Sequence, residues 1–187
     1  MAQLYFKYGA MGSSKTANAL MCKFNYEEKG KKVLLLKPST DTRDGTTIIK
    51  SRIGLSAECT LIENVDFNKI NENDYDVVIV DEAQFLTEEE VLKLVDTVDN
   101  KNIPVICYGL RTDSNGNLFP GTLSLMKWAD KFEEIKTVCW CGRKATHNAR
   151  FDENGNIIRD GNWLELGGNS KYTSVCRKHY LEGRLHE

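Results

Sequence analysis

The stretch that decides the fold lies at residues 9–16 and reads Gly9-Ala10-Met11-Gly12-Ser13-Ser14-Lys15-Thr16. It departs from the pattern G-x-x-x-x-G-K-[ST] only at Ser14, which stands where the pattern has glycine. The strand-like segment Leu4–Tyr8 precedes it, and apolar residues at helical spacing follow it: Ala17, Leu20, Met21 and Phe24. A strand, a glycine-rich turn and a helix in this order predict a loop whose backbone N–H groups bind phosphate.

The two last residues of this loop carry its predicted chemistry. We expect Lys15 to reach the β- and γ-phosphates of a nucleotide and the Thr16 hydroxyl to bind Mg²⁺. The alternative is an ordinary turn that caps a helix and leaves the Lys15 ammonium in solvent.

Further along the chain, short apolar runs alternate with helical patterns. Val33–Leu36, Val77–Val80 and Ile103–Cys107 are runs of strand length, as in buried parallel strands. Thr87 and Glu90 form the pattern of a capping box at the start of an amphipathic helix. Pro38–Gly54 is polar and without a clear period, so we expect a loop there. The pattern predicts an α/β fold of the P-loop NTPase type with a parallel sheet.

An acidic pair, Asp81 and Glu82, follows the second apolar run. Ligands bind at the carboxyl edge of open parallel sheets, so this pair should lie in the site. Neighbouring strand residues point in opposite directions, which lets the two carboxylates take different roles. We expect Asp81 on the Mg²⁺ side and Glu82 free to orient, or accept a proton from, an attacking hydroxyl. The alternative is an acidic turn without a function.

The character of the chain changes after residue 136, where Gly and Asn become frequent. We therefore divide it into a nucleotide-binding unit, residues 1–136, and a small unit, residues 137–187. The second unit contains Cys139-x-Cys141 and Cys176-x-x-His179, three thiols and one imidazole. Such a closed set suits structural Zn²⁺, and a loop-rich unit of this size needs such a constraint. The alternative is free thiols and a surface histidine.

Composition excludes several classes of function. The chain has 187 residues, with 25 Lys and Arg against 27 Asp and Glu, for a net charge of −2. That balance lacks the basic surface that nucleic-acid binding requires, so we expect no nucleic-acid partner. No run of 18 apolar residues and no signal-peptide pattern is present, so we expect no membrane association and a cytoplasmic location.

Six motifs together resemble the cytosolic, zinc-containing (type II) thymidine kinase family, in order and spacing along nearly the whole chain. Beyond the phosphate loop they are Lys37-Pro38-Ser39-Thr40-Asp41-Thr42-Arg43, Ser51-Arg52-Ile53-Gly54, Asp81-Glu82-Ala83-Gln84-Phe85, Gly109-Leu110-Arg111-Thr112-Asp113, and residues 166–177 with the sequence LGGNSKYTSVCR. The Cys-x-Cys form of the metal site is similar to that of one bacterial subgroup.

The resemblance implies a RecA-like sheet with a small zinc-binding lasso domain, and phosphoryl transfer from ATP to the 5′-hydroxyl of thymidine, giving dTMP and ADP. It implies that Glu82 is the catalytic base. It places ATP and its phosphates at Gly9, Ala10, Met11, Gly12, Ser13, Ser14, Lys15, Thr16, Asp41, Arg43, Asp81, Glu82, Ala83 and Gln84. It places thymidine at Met11, Phe85, Leu110, Leu164, Leu166, Gly167 and Tyr172.

The resemblance also implies a loop, from about residue 142 to residue 172, that closes over thymidine and is anchored by Zn²⁺ at Cys139, Cys141, Cys176 and His179. Thr16 and Asp81 match the Mg²⁺ side. A homotetramer and inhibition by dTTP are implied as well.

Two departures from the family leave alternatives open. Ser14 replaces a usual glycine, and Ser114 replaces a usual aromatic residue near the base, a place that Phe119 could fill instead. These departures allow a non-catalytic nucleotide sensor. A nucleic-acid-stimulated ATPase is a third class, because D-E-A-Q is similar to a helicase box, although a helicase needs a second motor domain and a basic track.

Overall fold

The computed structural model describes residues 1–41, 45, 47–159 and 171–186. Its strands, in chain order, are β1 (Leu4–Gly9), β2 (Val33–Lys37), β3 (Ile48–Lys50), β4 (Ser56–Glu58), β5 (Thr60–Leu61), β6 (Val77–Val80), β7 (Val105–Leu110), β8 (Lys131–Glu134), β9 (Thr137–Val138), β10 (Lys144–Ala145), β11 (His147–Phe151), β12 (Ile157–Ile158) and β13 (Tyr172–Val175). Its α-helices are α1 (Lys15–Glu27), α2 (Glu88–Asp99), α3 (Pro120–Trp128) and α4 (Arg177–Glu182). Short 3₁₀ turns cover Ile62–Asn64, Phe67–Lys69 and Ala83–Phe85.

Six strands form one sheet in the order β5-β2-β6-β7-β1-β8, and every pair in it is parallel. This confirms the predicted α/β class with a parallel sheet. The apolar runs behave as expected, since Val77–Val80 is fully buried at the centre of the sheet. Strands β1, β6 and β7 end next to one another, so Gly9, Asp81 and Leu110 meet at one edge.

Apolar clusters cover both faces of the sheet. One joins the α2 residues Val91, Leu94 and Val98 to strand residues such as Phe6 and Val105. The other joins Ala19 and Leu20 of α1 to Leu35, Ile79 and Ile106. The capping box that starts α2 is formed as predicted: Thr87 Oγ1 accepts from the Glu90 N–H at 3.2 Å, and Glu90 accepts from the Thr87 N–H at 2.8 Å.

Several sequence predictions were wrong in detail. Met21 and Phe24 do not face the core but are 46% and 63% exposed. Helix α1 instead presents its small residues Ala17 and Ala19 to the sheet, which brings the helix close to the strands. The stretch expected to be a loop up to Gly54 contains β3, whose partner strand is β4. The third apolar strand begins at Val105 rather than Ile103 and extends to Leu110.

The small unit is built from short antiparallel pairs. Strand β11 pairs with β12 on one side and with β13 on the other, and β9 pairs with β10. Its buried residues form a cluster of their own, which consists of Cys139, Ala145, Ala149, Val175, Cys176 and Tyr180. None of the helices in the described part of the chain combines the length and the apolar character needed to span a bilayer.

Candidate active site

The phosphate loop runs from the end of β1 to the start of α1. Gly9 is required there, because a Cβ at this position would lie 2.4 Å from the Ile135 carbonyl oxygen. Gly12 and Ser14 both have left-handed backbone, with φ of 71° and 61°. Lys15 Nζ donates to the Ala10 carbonyl at 2.8 Å and to Ser13 Oγ at 3.3 Å, so its ammonium lies over the loop.

Ser14 adopts the conformation that glycine favours, and its side chain is exposed. It heads α1 as the residue before Lys15, without a side-chain capping bond. The departure from the glycine of the pattern therefore costs backbone strain rather than space in the loop. Arg52 lies nearby, because a Cβ on Gly12 would be 3.9 Å from its Nη1 atom.

The acidic pair lies where the sequence predicts, directly after β6. Asp81 is buried and accepts a hydrogen bond from the Thr16 hydroxyl. Burial, together with the neighbouring Glu82 carboxylate, raises the pKa of Asp81 to about 7, while Thr16 and Lys15 act in the opposite direction. The two residues predicted to hold Mg²⁺ are thus in contact.

Glu82 has a left-handed backbone, with φ of 52°, which is rare for a residue with a side chain. Strain of this kind is often found at functional sites. The Gln84 amide donates to the Glu82 carboxylate, and Gln84 Oε1 accepts from the Leu110 N–H at 3.0 Å. Gln84 is fully buried, so it fixes the Glu82 carboxylate relative to the end of β7.

Apolar residues expected around a nucleoside lie beside this pair. Phe85 and Phe119 meet edge to face with ring centroids 5.6 Å apart, and Leu110 ends β7. Phe119 is buried against the Phe85 ring, and its filling of the space expected for an aromatic residue at position 114 stays a prediction. Ser114 is itself buried, and its carbonyl accepts from the Tyr180 hydroxyl at 2.7 Å.

The small unit adds Tyr172 and a residue that the sequence analysis missed, Asn148. In the antiparallel pair of β11 and β13, Tyr172 lies opposite Arg150, and Ser174 opposite Asn148. Residues two apart on a strand share a face, so Tyr172 and Asn148 belong to the same face of this sheet. Asn148 Oδ1 accepts from the Met11 N–H at 2.8 Å, which places this face against the phosphate loop.

A second missed residue is Lys37, which is 1% exposed at the end of β2. Its ammonium donates to the carbonyls of Gly45 at 2.6 Å and Ile48 at 2.9 Å, and lies 3.7 Å from Asp41 Oδ2. Asp41 is therefore held near the sheet edge. Four other predicted site residues, Arg43, Leu164, Leu166 and Gly167, lie outside the described residues.

The four predicted metal ligands come together as expected. The ligand atoms of Cys139, Cys141, Cys176 and His179 lie within 4.8 Å of one another. Cys139 Sγ is 3.4 Å from His179 Nδ1, a spacing compatible with Zn–S and Zn–N bonds of about 2.3 and 2.0 Å in a tetrahedron. Trp140 stacks on His179 at 4.3 Å between ring centroids and holds the imidazole in place.

The acid–base chemistry of Cys139 also fits a metal, whereas at Cys141 a backbone hydrogen bond from Arg143 is outweighed by burial and by the neighbouring Cys139 and Cys176 thiols, which raise the pKa of Cys141. Burial opposes ionisation of Cys139, but hydrogen bonds from the backbone of Cys141 and Cys176 and from His179 prevail. They lower the pKa of the Cys139 thiol to about 6, which favours the thiolate that binds metal. Sequence spacing and structure thus agree on a candidate zinc site.

The fold and the site together define a P-loop enzyme of the α/β class, with an acidic pair at the sheet edge and a separate cysteine-rich metal site. A family model described as thymidine kinase matches residues 2–180. The chain therefore belongs to the thymidine kinase family, whose members are ATP-dependent kinases, as the sequence motifs predicted.

Individual relatives agree with the family model. The chain is 46% identical to a protein named thymidine kinase from Photobacterium profundum, over 97% of this chain and 98% of that one. It is 46% identical to another from Vibrio vulnificus, with the same two coverages. A third, from Rhodopirellula baltica, is 45% identical over 97% of this chain and 89% of that one.

Among solved structures, the chain is similar to the Pif1 helicase from Candida albicans. The TM-score is 0.40 and the identity 16%, over 72% of this chain and 36% of the helicase chain. A likeness of this size carries no conclusion about activity.

Proposed function

We propose that this chain transfers the γ-phosphoryl group of ATP to the 5′-hydroxyl of thymidine, producing dTMP and ADP. The observation that carries the proposal is the placement of Asp81 and Glu82 between a phosphate loop and an apolar site. Thr16 contacts Asp81 on the phosphate side, and Gln84 ties Glu82 to Leu110 on the apolar side. The named relatives support thymidine as the acceptor.

On the donor side, the loop N–H groups and the start of α1 receive the phosphates of ATP. Lys15 neutralises negative charge there, together with Arg52 beside Gly12 and with Arg43. Asp41, whose carboxylate lies 3.7 Å from Lys37 Nζ, belongs to the same side of the site. Thr16 and Asp81 would hold Mg²⁺, which would supply neutralisation of the phosphate charge. Burial raises the pKa of Asp81 to about 7 even though Lys15 acts in the opposite direction, so a bound divalent cation would favour the ionised carboxylate.

On the acceptor side, Glu82 orients the 5′-hydroxyl and accepts its proton as the phosphoryl group is transferred. The strained backbone of Glu82 and the hydrogen bond from Gln84 keep this carboxylate in one orientation. The thymine ring of the substrate lies among Met11, Phe85, Leu110 and Tyr172, and the family resemblance adds Leu164, Leu166 and Gly167 to its contacts.

The small unit, residues 137–187, acts as a zinc-anchored lasso over the nucleoside. Zn²⁺ bound by Cys139, Cys141, Cys176 and His179 is structural, because four protein ligands leave no open position for catalysis. Its separate buried cluster supports treating it as a second unit beside residues 1–136.

The family resemblance further supports a cytoplasmic homotetramer that dTTP inhibits. The exposed apolar side chains Met21 and Phe24 on α1 provide a surface of the kind that subunit contacts cover. The feedback inhibitor would occupy the same nucleoside and phosphate sites, because it contains both chemical groups.

The test is thymidine-dependent ADP release by the wild-type protein and by Glu82→Gln. The substitution keeps the shape of the side chain and removes its charge, so we expect kcat to fall about 10²–10⁴-fold with little change in ATP affinity. Glu89→Gln, an exposed carboxylate on α2, serves as the control and should retain full activity. ATP hydrolysis that ignores thymidine and rises with single-stranded DNA would overturn the proposal.

A further inference from the structure

A buried side chain from the small unit holds the phosphate loop from outside. Asn148 on β11 is 3% exposed. Its Oδ1 accepts from the Met11 N–H at 2.8 Å, and its Nδ2 donates to the Thr112 carbonyl at 2.8 Å. One side chain thus joins three segments: the phosphate loop, the residue two positions after β7, and the small antiparallel sheet.

The chemistry of the amide explains why asparagine suits this position. The side chain must accept at one end and donate at the other, which a short neutral amide does. The opposite orientation of the amide would set its NH₂ group against the Met11 N–H, so the two bonds fix one orientation. Leaving either backbone group buried and unpaired would be costly.

Other polar contacts join the same two units, but they either do not involve the phosphate loop or are longer and exposed to solvent. Arg111 donates to the Thr146 carbonyl at 2.9 Å, and the Tyr180 hydroxyl to the Ser114 carbonyl at 2.7 Å. The Thr137 hydroxyl reaches the Gly12 carbonyl of the loop, but the bond is 3.3 Å long and exposed. Among the described hydrogen bonds, that of Asn148 is therefore a buried contact through which the small unit acts on the loop.

We propose that Asn148 is a positioning residue for the phosphoryl-transfer reaction. It fixes the Met11 backbone, and through it the Met11 side chain, relative to the end of β7 and the metal-bearing unit. The inference rests on the proposed function, because that function expects the nucleoside to contact Met11 and Leu110. Leu110 lies two residues before Thr112, the other partner of Asn148. Loss of Asn148 should therefore disturb the thymidine side of the site more than the ATP side.

The test compares Asn148→Leu, which has a similar size and loses both bonds, with the control Thr137→Val, which loses the exposed contact to the loop. For Asn148→Leu we expect the KM for thymidine to rise about tenfold and kcat to fall, as loss of buried hydrogen bonds of ordinary strength implies. The KM for ATP should change less than about threefold in the same reasoning, and Thr137→Val should resemble wild type. Zinc content should stay unchanged in both variants.

Hydrogen exchange supplies a readout that does not depend on activity. The peptide that contains residues 9–16 should exchange faster in Asn148→Leu and not in Thr137→Val, because the Met11 N–H loses its acceptor. Asn148→Asp retains an acceptor for Met11 and loses the donor for Thr112, so it should slow catalysis while it preserves protection. It also provides the test if the leucine variant does not fold.

An unchanged KM for thymidine with unchanged exchange would overturn the inference. An equal rise of the KM values for thymidine and ATP together with loss of zinc in Asn148→Leu would overturn it as well, because that result indicates a purely structural role for Asn148. Failure of the proposed function is distinguishable, because the wild-type protein would then show no thymidine-dependent ADP release.

Discussion

The sheet unit and the small unit are stabilised in different ways. The sheet unit buries apolar side chains on both faces of six parallel strands, with helices packed against them. In the small unit, the buried cluster includes two of the metal ligands themselves, Cys139 and Cys176. The first unit therefore depends on burial of apolar surface. In the second, a metal held by the four candidate ligands would replace the core that a short loop-rich chain cannot build.

Among the described residues, several hydrogen bonds and the Lys144–Glu134 ion pair join the two units. Four side chains form hydrogen bonds with the backbone of the other unit: Asn148, Thr137, Arg111 and Tyr180. Asn148 accepts from the Met11 N–H, and the other three donate to carbonyl oxygens. Bonds of this kind contribute about 0.5–1.5 kcal/mol each, so they orient the units without merging their cores. Damage to one unit should accordingly leave much of the other intact.

The largest effect is expected from Cys176→Ser. Structural zinc contributes about 10–16 kcal/mol to the folding of zinc-finger peptides, and removal of one thiolate ligand should abolish tight binding. We expect the zinc content to fall to near zero and residues 137–186 to exchange hydrogen rapidly, while the sheet unit still unfolds cooperatively. Elemental analysis and hydrogen exchange measure this. Cys22→Ser, at a thiol outside the metal set, should retain zinc. Full zinc content in Cys176→Ser would show that another ligand set holds the metal.

Leu94→Ala tests the sheet unit in the complementary way. Leu94 is fully buried on α2, and its truncation should cost about 2–5 kcal/mol. Urea unfolding measures the loss, and the zinc content should not change. Leu92 lies on the same helix but is 42% exposed, so Leu92→Ala should change the free energy of unfolding by no more than about 0.5 kcal/mol. Similar losses of the free energy of unfolding in both variants would mean that α2 does not pack against the sheet through Leu94.

Two turns with the same sequence pattern, one in each unit, allow the effect of burial to be compared directly. Asp113 and Asp152 each begin a D-x-N-G-N turn. Each accepts from the N–H groups two and four residues later, at 2.9 and 2.8 Å in both turns. Asp113 is buried, so Asp113→Ala should cost about 1–3 kcal/mol of the free energy of unfolding.

Asp152 lies in a more exposed turn of the small unit, so Asp152→Ala should have a clearly smaller effect on the denaturation midpoint. The pair controls for the turn itself, because the local hydrogen bonds are alike. Equal losses would show that burial at position 113 adds nothing.

The smallest effect concerns Ser14. Its backbone is left-handed and its side chain exposed. Relief of strain, partly offset by the freer unfolded chain, should make Ser14→Gly about 0.5–1 kcal/mol more stable. The KM for ATP should remain unchanged. Ser56→Gly, at an extended position in β4, should destabilise instead. A lower KM for ATP in Ser14→Gly would mean that the serine side chain crowds the phosphates.

The features that the sequence predicted correctly depend on local chemistry. The strand, turn and helix around the candidate phosphate loop, the capping box of Thr87 and Glu90 and the buried run Val77–Val80 each follow from residue types at short spacing. The same holds within each candidate ligand pair, Cys139 with Cys141 and Cys176 with His179. The position of Asp81 and Glu82 follows from a general rule about the edge of parallel sheets. Such features need no knowledge of distant partners.

The features that it missed depend on long-range packing. Strand β8, Lys131–Glu134, is charged and largely exposed, and joins the sheet by pairing with β1 more than 120 residues earlier. Met21 and Phe24 were misplaced because the buried face of α1 is set by the sheet beneath it. The sequence assigns no role to Asn148, or to Lys37 although Lys37 begins one of the family motifs, because a polar side chain shows its role only through the backbone groups that it contacts.

Binding of the two substrates to metal-depleted protein tests the division between the units most directly. Zinc is removed with a chelator, and the affinities for Mg²⁺-ATP and thymidine are then measured by calorimetry, with and without added Zn²⁺. We expect the metal-depleted protein to lose thymidine binding and to regain it when Zn²⁺ is added. The affinity for Mg²⁺-ATP should change only a few-fold, because only one or two hydrogen bonds to the phosphate loop are lost. An unchanged affinity for thymidine without zinc would contradict this division, and so would an equal loss of affinity for thymidine and for ATP.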